Sequence, residues 1–232
     1  MGVPDLTNDV ILVARTRSRM YALLALAFDY PTAEFYHALE SRLYPDGICD
    51  IVAALYPDLG EEVAAVGVTL GAAPTLLDQQ SEYLETFETA VPKPAAALYE
   101  GLGGPPGERA DILLELKAFL RRFGLKMNDA LREFEDSATA ELEFMQFLAM
   151  KEAEALENGW DSRPYRHAQH DFLARHPGRW LPGMARSARE AKSVFYRSVA
   201  QIAAMFVERD EIGIRPGMCA GTEAATDGGS ST

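Results

Sequence analysis

Along this chain the apolar residues recur three and four positions apart, and nowhere do they alternate with polar ones over the length of a strand. Such spacing gathers side chains on one face of an α-helix, whereas a half-buried strand needs a period of two. The chain is thereby restricted to helix-on-helix packing, an all-α fold. Met20, Leu23, Leu24, Ala27 and Phe28 form the first stripe. Beyond Pro31, Thr32 is placed to cap a helix carrying Phe35, Leu39 and Leu43; Ile48, Ile51, Val52 and Leu55 then make a short stripe that Pro57 ends. Thr75 caps a further helix with Leu76, Gln80, Tyr83, Leu84 and Phe87 on one side. Ile112, Leu116, Phe119, Leu120 and Phe123 lead up to Gly124, a residue suited to a helix C-terminus.

The clearest helix runs from about Asp136, read as its cap, to Glu157, with Asn158-Gly159 as its stop. A shorter one carries Tyr165, Ala168 and Phe172. The last and longest is expected to begin after Pro182 and to present Met184, Ala188, Ala191, Phe195, Val199, Ile202 and Phe206. Between the helices, VPKPAAALYEGLGGPPG is too rich in Pro and Gly to be one helix. From Gly213 the sequence is polar, small and turn-rich, the composition of a disordered tail. The reading is one all-α domain, residues 1–212, a bundle of about eight to ten helices, followed by a disordered C-terminal tail, 213–232.

Composition narrows function. The 232 residues are enough for one substantial core without disulfide or metal support. With 22 basic and 35 acidic residues the net charge is -13, which argues against nucleic acid as the main partner and suits a cationic one. Cys49 and Cys219 lie in no metal or disulfide pattern, the default for a reducing compartment. No run approaches a membrane span. Arg15, Arg17 and Arg19 ahead of MYALLALAF imitate a secretory signal, but Asp5 and Asp9 precede them and the apolar residues follow a globular helical stripe. Charge is uneven: Asp46 to Glu88 holds nine acidic and no basic residues, Glu133 to Glu157 eight acidic and one basic, and Arg163 to Arg197 eight basic and two acidic. Either these helices neutralise one another across solvated faces, or the acidic ones form a binding surface.

Enzyme readings lack a constellation. His167 and His170 give an H-x-x-H step without a stated mechanism, and Glu34 and His37 give a single E-x-x-H where a di-iron bundle needs two. GLGGPPG has neither a Walker lysine nor G-x-G-x-x-G spacing, and no G-x-S-x-G is present. No catalytic residue, metal or cofactor is therefore assigned.

What remains is EFEDSATAELEFMQFLAMKEAEAL, where carboxylates cluster at the start of a central helix. It resembles the P-D-H-L-x-x-E-L-E-F-M region of the TorD/NarJ family of redox-enzyme maturation chaperones. YALLALAFDYP is similar to that family's Y-x-L-L-A-x-x-F-x-x-P, SEYLETF to its Y-x-x-L-F, and Pro94 to Tyr99 to its P-Y-E-S-V-Y. HDFLARHPGRWLPG with the later Phe195-Tyr196 resembles F-L-x-x-H-L-x-x-W-x-P followed by F-Y. These blocks keep the family's order from residue 21 to 206. Two departures stand out: Ser137 replaces the family histidine, and Ala95-Ala96-Ala97 replaces the Glu-Ser portion of P-Y-E-S. ALYEGLGG looks most like the branch serving type II DMSO-reductase-like enzymes.

The resemblance implies a cytoplasmic, non-enzymatic chaperone that binds the apo catalytic subunit of a molybdenum enzyme of the DMSO reductase family. It would mask the subunit's twin-arginine signal and delay export until the cofactor is inserted. Two guanidinium groups followed by an apolar stretch call for carboxylates beside an apolar groove. Asp136 with Glu133, Glu135 and Ser137 is expected to supply the first, and Tyr83, Phe87 and Tyr99 the second. The competing expectations are a plain helix cap for Asp136 and core packing for Tyr83 and Phe87; Trp180 and His176 are read as structural. If Asp136 is a contact residue, Asp136→Ala is expected to weaken the signal peptide while leaving melting nearly unchanged. A helical adaptor without such a client, or a metal-dependent helical enzyme, would share the composition. A monomer or a domain-swapped dimer is compatible with the long connector.

Overall fold

A computed structural model describes residues 9–89, 93–102, 108–126 and 134–215. Among these, ten α-helices succeed one another: α1 Val10–Phe28, α2 Ala33–Glu40, α3 Leu43–Leu55, α4 Pro57–Gly67, α5 Leu76–Phe87, α6 Glu108–Arg122, α7 Ala138–Glu157, α8 Arg163–Arg175, α9 Pro177–Ala188 and α10 Val194–Gly213. A single 3-10 turn, Glu100–Leu102, precedes α6. The all-α expectation and the helix number hold.

Local chemistry sets many of the boundaries. Thr32 and Thr75 accept hydrogen bonds from the amides of Phe35 and Asp78, as their positions predicted. Gly124 and Gly159 follow their helices at φ of +72° and +66°, where a side chain would be strained. Pro57 opens α4 as well as ending the preceding stripe, since its missing N–H costs nothing in a first helical turn. Leu43 belongs to the start of α3 and is largely exposed.

The predicted last helix is two helices. Pro182 lies inside α9, and the chain turns at residues 189–193 before Ser193 caps α10 by accepting from the Tyr196 amide. Met184, Ala188, Ala191, Phe195, Val199, Ile202 and Phe206 are all buried. Their spacing runs unbroken through the turn, so periodicity alone could not reveal it. At the other end α10 continues through Gly213 and Ile214 is buried, so the ordered bundle extends past the expected start of the tail. Residues 216–232 lie outside the described part.

At the centre, α1 and α7 run antiparallel, their direction fixed by Arg15 against Glu157 and by Ser18 Oγ donating to the Gln146 carbonyl at 3.0 Å. Tyr21, Leu24 and Phe28 of α1, Leu142, Met145 and Leu148 of α7, and Tyr196, Val199 and Phe206 of α10 share one core. Inside that core sits a charge. Arg17, 2% exposed, forks onto Asp210 of α10 through Nε at 2.6 Å and Nη2 at 2.7 Å, and reaches Glu152 of α7 at 3.2 Å. Tyr21 and Tyr56 hydroxyls also donate to Asp210. Arg166 and Gln169 of α8 complete Glu152 at 3.1 and 2.8 Å. Every charge in this cluster is met by an opposite charge or a donor, the condition under which buried ions are tolerated.

Half of the basic segment follows the cross-neutralisation expectation. Arg166 pairs with Glu152, Arg175 with Glu115, Arg179 with Glu108 at 3.6 Å and Lys192 with Glu85. Four of the segment's eight cations thus meet acidic residues of α5, α6 and α7, while Arg163 pairs with its neighbour Asp161.

Candidate functional site

Three sequence segments far apart in the chain meet at the start of α7. The stretch Leu98–Gly101 lies alongside residues 136–138: Ala138 N donates to the Leu98 carbonyl at 2.9 Å, Glu100 N to the Asp136 carbonyl at 2.8 Å, and Tyr99 forms an antiparallel bridge with Ser137. The beginning of α6 approaches from one side, and the α8–α9 junction, with His176 and Trp180, from the other.

The cap of α7 is Ser137, one residue later than expected: its Oγ accepts from the Ala140 amide at 3.0 Å. That frees the Asp136 side chain for other partners. Its carboxylate is 0% exposed and receives a forked pair from Arg109, Nε to Oδ2 at 2.8 Å and Nη2 to Oδ1 at 3.0 Å, while the Gly101 amide donates to Oδ2 at 3.3 Å. The Arg109 guanidinium lies 5.3 Å from the Tyr99 ring centroid and 4.8 Å from that of Phe134. An arginine held by a carboxylate and two aromatic rings is the arrangement a guanidinium prefers. This pairing revises one expectation. Asp136→Ala strips Arg109 and Gly101 of a buried acceptor and so cannot leave melting unchanged.

Behind Asp136 lies a second acidic group. Glu100 Oε2 is 2.9 Å from His176 Nδ1, and Trp180 Nε1 donates to Glu141 Oε2 at 2.8 Å. Burial, and next the nearby Glu100 carboxylate, push the Glu141 carboxyl well above its usual range. Glu141 therefore favours its protonated form, in which it can donate to Glu100. A folded-state pKa above the unfolded value means that the group's stabilisation is complete below about pH 4.5 and is lost as pH rises through the folded value. Glu141→Gln imitates the protonated acid. We expect the variant to match wild type near pH 4 and to become the more stable protein as pH rises toward 8, measured by urea unfolding across that range. A constant difference at all pH values would remove Glu141 from the titration.

A cleft of about 340 Å³ opens beside these groups, lined by Ala97, Tyr99, Ile112, Trp180 and Met184 together with Glu100, Glu108 and Arg179. Tyr99 is common to this cleft and to the Arg109 cage. Trp180 is therefore a wall of the cleft as well as a donor to the buried acid.

Of the sequence-selected residues, Asp136, Ser137 and Tyr99 come together here, and Glu135 stands at the edge, 3.6 Å from Lys117. Glu133 lies outside the described residues. Tyr83 and Phe87 are elsewhere: both are 4% exposed in the core, where Tyr83 donates to the Phe28 carbonyl at 3.2 Å and both rings pack on Tyr196. Aromatics at helical spacing carry no mark that separates a core stripe from a groove. The apolar component at this site is the cleft around Ile112, Trp180 and Met184. Arg109 had no motif to announce it; Phe134, Glu141 and Trp180 stood inside the segments that carry the family resemblance.

Residues 49–186 match the family of the nitrate reductase delta subunit. The perchlorate reductase assembly chaperone protein of Dechloromonas aromatica is 35% identical over 209 residues, covering 87% of this chain and 93% of its own. The chlorate reductase assembly chaperone protein of Ideonella dechloratans is 32% identical, over 90% of this chain and 96% of its own. Chaperone protein TorD of Vibrio cholerae is 27% identical, over 76% and 80% respectively. The matched span takes in Tyr99, Arg109, Phe134, Asp136, Glu141, His176 and Trp180; the chain belongs to the nitrate reductase delta subunit family, the NarJ/TorD group.

Proposed function

We propose that this protein is a cytoplasmic, system-specific assembly chaperone for the catalytic subunit of a molybdenum oxidoreductase of the DMSO reductase family. It binds the apo subunit with its twin-arginine signal, delays export until the cofactor is inserted, and performs no chemistry of its own. The observation that carries this reading is similarity along nearly the whole chain to relatives named as assembly chaperones. Similarity to the perchlorate and chlorate reductase chaperones favours the type II branch for the client. The Asp136 end of α7 is the proposed contact. It places a buried carboxylate, aromatic rings and an apolar cleft side by side, which suits an arginine-bearing segment followed by apolar residues.

Co-expression of the tagged chain with candidate catalytic subunits, then affinity capture and mass spectrometry, tests the reading. We expect recovery of an immature subunit that retains its signal and lacks cofactor. Recovery of an unrelated protein would favour a helical adaptor, and clean absence of any such subunit would sink the chaperone reading.

A further inference from the structure

We propose that Tyr99, Phe134, Asp136 and the Gly101 amide form a guanidinium-binding box that the chain's own Arg109 occupies in the unliganded protein and that an arginine of the client takes over. The client half of this statement rests on the function proposed above; the box itself does not.

Four observations carry it. The Asp136 oxygens both face a single guanidinium, at 2.8 and 3.0 Å, which is recognition of a planar fork and more specific than a point-charge pair. Phe134 is 50% exposed and stands 4.8 Å from that guanidinium, so an aromatic that contributes little to the core is committed to the cation. Gly101 provides the space: a Cβ there would come within 2.7 Å of Arg109 Cβ and overlap its Cγ. Finally, the two partners are unequally placed. The Arg109 side chain is 30% exposed while that of Asp136 is at 0%, so the arginine can leave into water and the carboxylate cannot.

An exchange of arginine for arginine never leaves Asp136 without a cation, which removes the main cost of opening a buried ion pair. The cleft reached past Tyr99 and Ile112 gives the incoming segment apolar contacts that Arg109 does not make. Arg109, tethered beside the box, outcompetes a lone arginine from solution, and only a segment that adds apolar contacts displaces it. Arg109 thus acts as a filter for the combination: an incoming segment must displace it, and the apparent affinity falls by the factor with which Arg109 holds the box.

The test uses the full chain as wild type and Arg109→Ala, with methylguanidinium chloride as probe and methylammonium chloride and NaCl at the same ionic strength as controls. We expect methylguanidinium to bind the variant saturably by calorimetry and to restore part of its lost melting temperature, with no such response from wild type or from the controls. Phe134→Ala added to Arg109→Ala should abolish the rescue. If Arg109→Ala does not fold, Arg109→Met keeps the stem against Gly101 and takes its place. Absence of saturable binding, or an equal response in wild type, overturns the box. A second arm titrates a synthetic peptide with two arginines followed by a leucine-rich stretch. Affinity about tenfold higher for the variant than for wild type is expected, and equal or lower affinity overturns the exchange. Capture of the client by wild type is read separately, so failure of the box and failure of the chaperone reading are distinguishable.

Discussion

Arg17→Met is expected to destabilise the protein by about 3–5 kcal/mol, the range for removing one partner of a buried, hydrogen-bonded ion pair. Urea unfolding followed by tryptophan fluorescence would register this as a lower midpoint with an unchanged slope. Methionine fills much of the arginine's volume, so the loss is chiefly electrostatic: Asp210 keeps only the Tyr21 and Tyr56 hydroxyls, and Glu152 keeps Arg166 and Gln169. Burial pushes the Asp210 carboxyl up, but Arg17 and the two hydroxyls outweigh it and hold it below the ordinary range. The stability this group contributes is therefore present above about pH 3.8 and is lost as pH falls through its lower folded value. A surface pair gives the contrast. Arg163 with Asp161 is well exposed on both sides, where water and salt screen the attraction and leave it little weight in stability. A loss below about 1 kcal/mol on Arg17→Met would show that the cluster resembles a surface pair despite its burial.

The second large effect is expected at Trp180. On the proposed function, Trp180→Ala removes a wall of the cleft and should weaken binding of the precursor's signal segment by about 30-fold or more, the scale of an aromatic anchor at an interface. The same change withdraws the donor to Glu141, so a melting shift will accompany it. Trp180→Phe separates the two effects. It retains an aromatic wall and loses the bond, so it should melt below wild type yet bind within a few-fold of it. If Phe binds as poorly as Ala, the loss follows the bond to Glu141, and the cleft wall is not the contact.

The parts legible in the sequence were those set by neighbours in the chain. Thr32, Thr75, Gly124 and Gly159 mark helix ends because caps depend on three or four adjacent residues. Position 136 drew attention by its company of carboxylates, although the cap itself is Ser137. The site's remaining members depend on distant pairing. Arg109 is 27 residues from Asp136 and lies at the start of α6, ahead of the apolar stripe that marks that helix. Arg17 lies between Arg15 and Arg19 and reads as one more surface cation, yet it is the one that turns inward. Tyr83 and Phe87 show the converse: a stripe at the right spacing next to acidic residues looks like a groove until the packing of α1 and α10 covers it.

The Arg17 cluster also has a consequence in time. Asp210 follows Arg17 by 193 positions and Glu152 follows it by 135, so the first helix cannot satisfy its charge from anything synthesised soon after it. During translation from the N-terminus, α1 and α7 can meet before α10 exists, but they would enclose an arginine whose principal counter-ion has yet to leave the ribosome. Completion of the bundle is tied to release of its last helix, and contacts this distant in sequence make folding slower than helix content alone would suggest. A chain stopped between the end of α7 and Asp210 would leave Arg17 with Glu152 alone at its centre and should remain a substrate for cellular proteases.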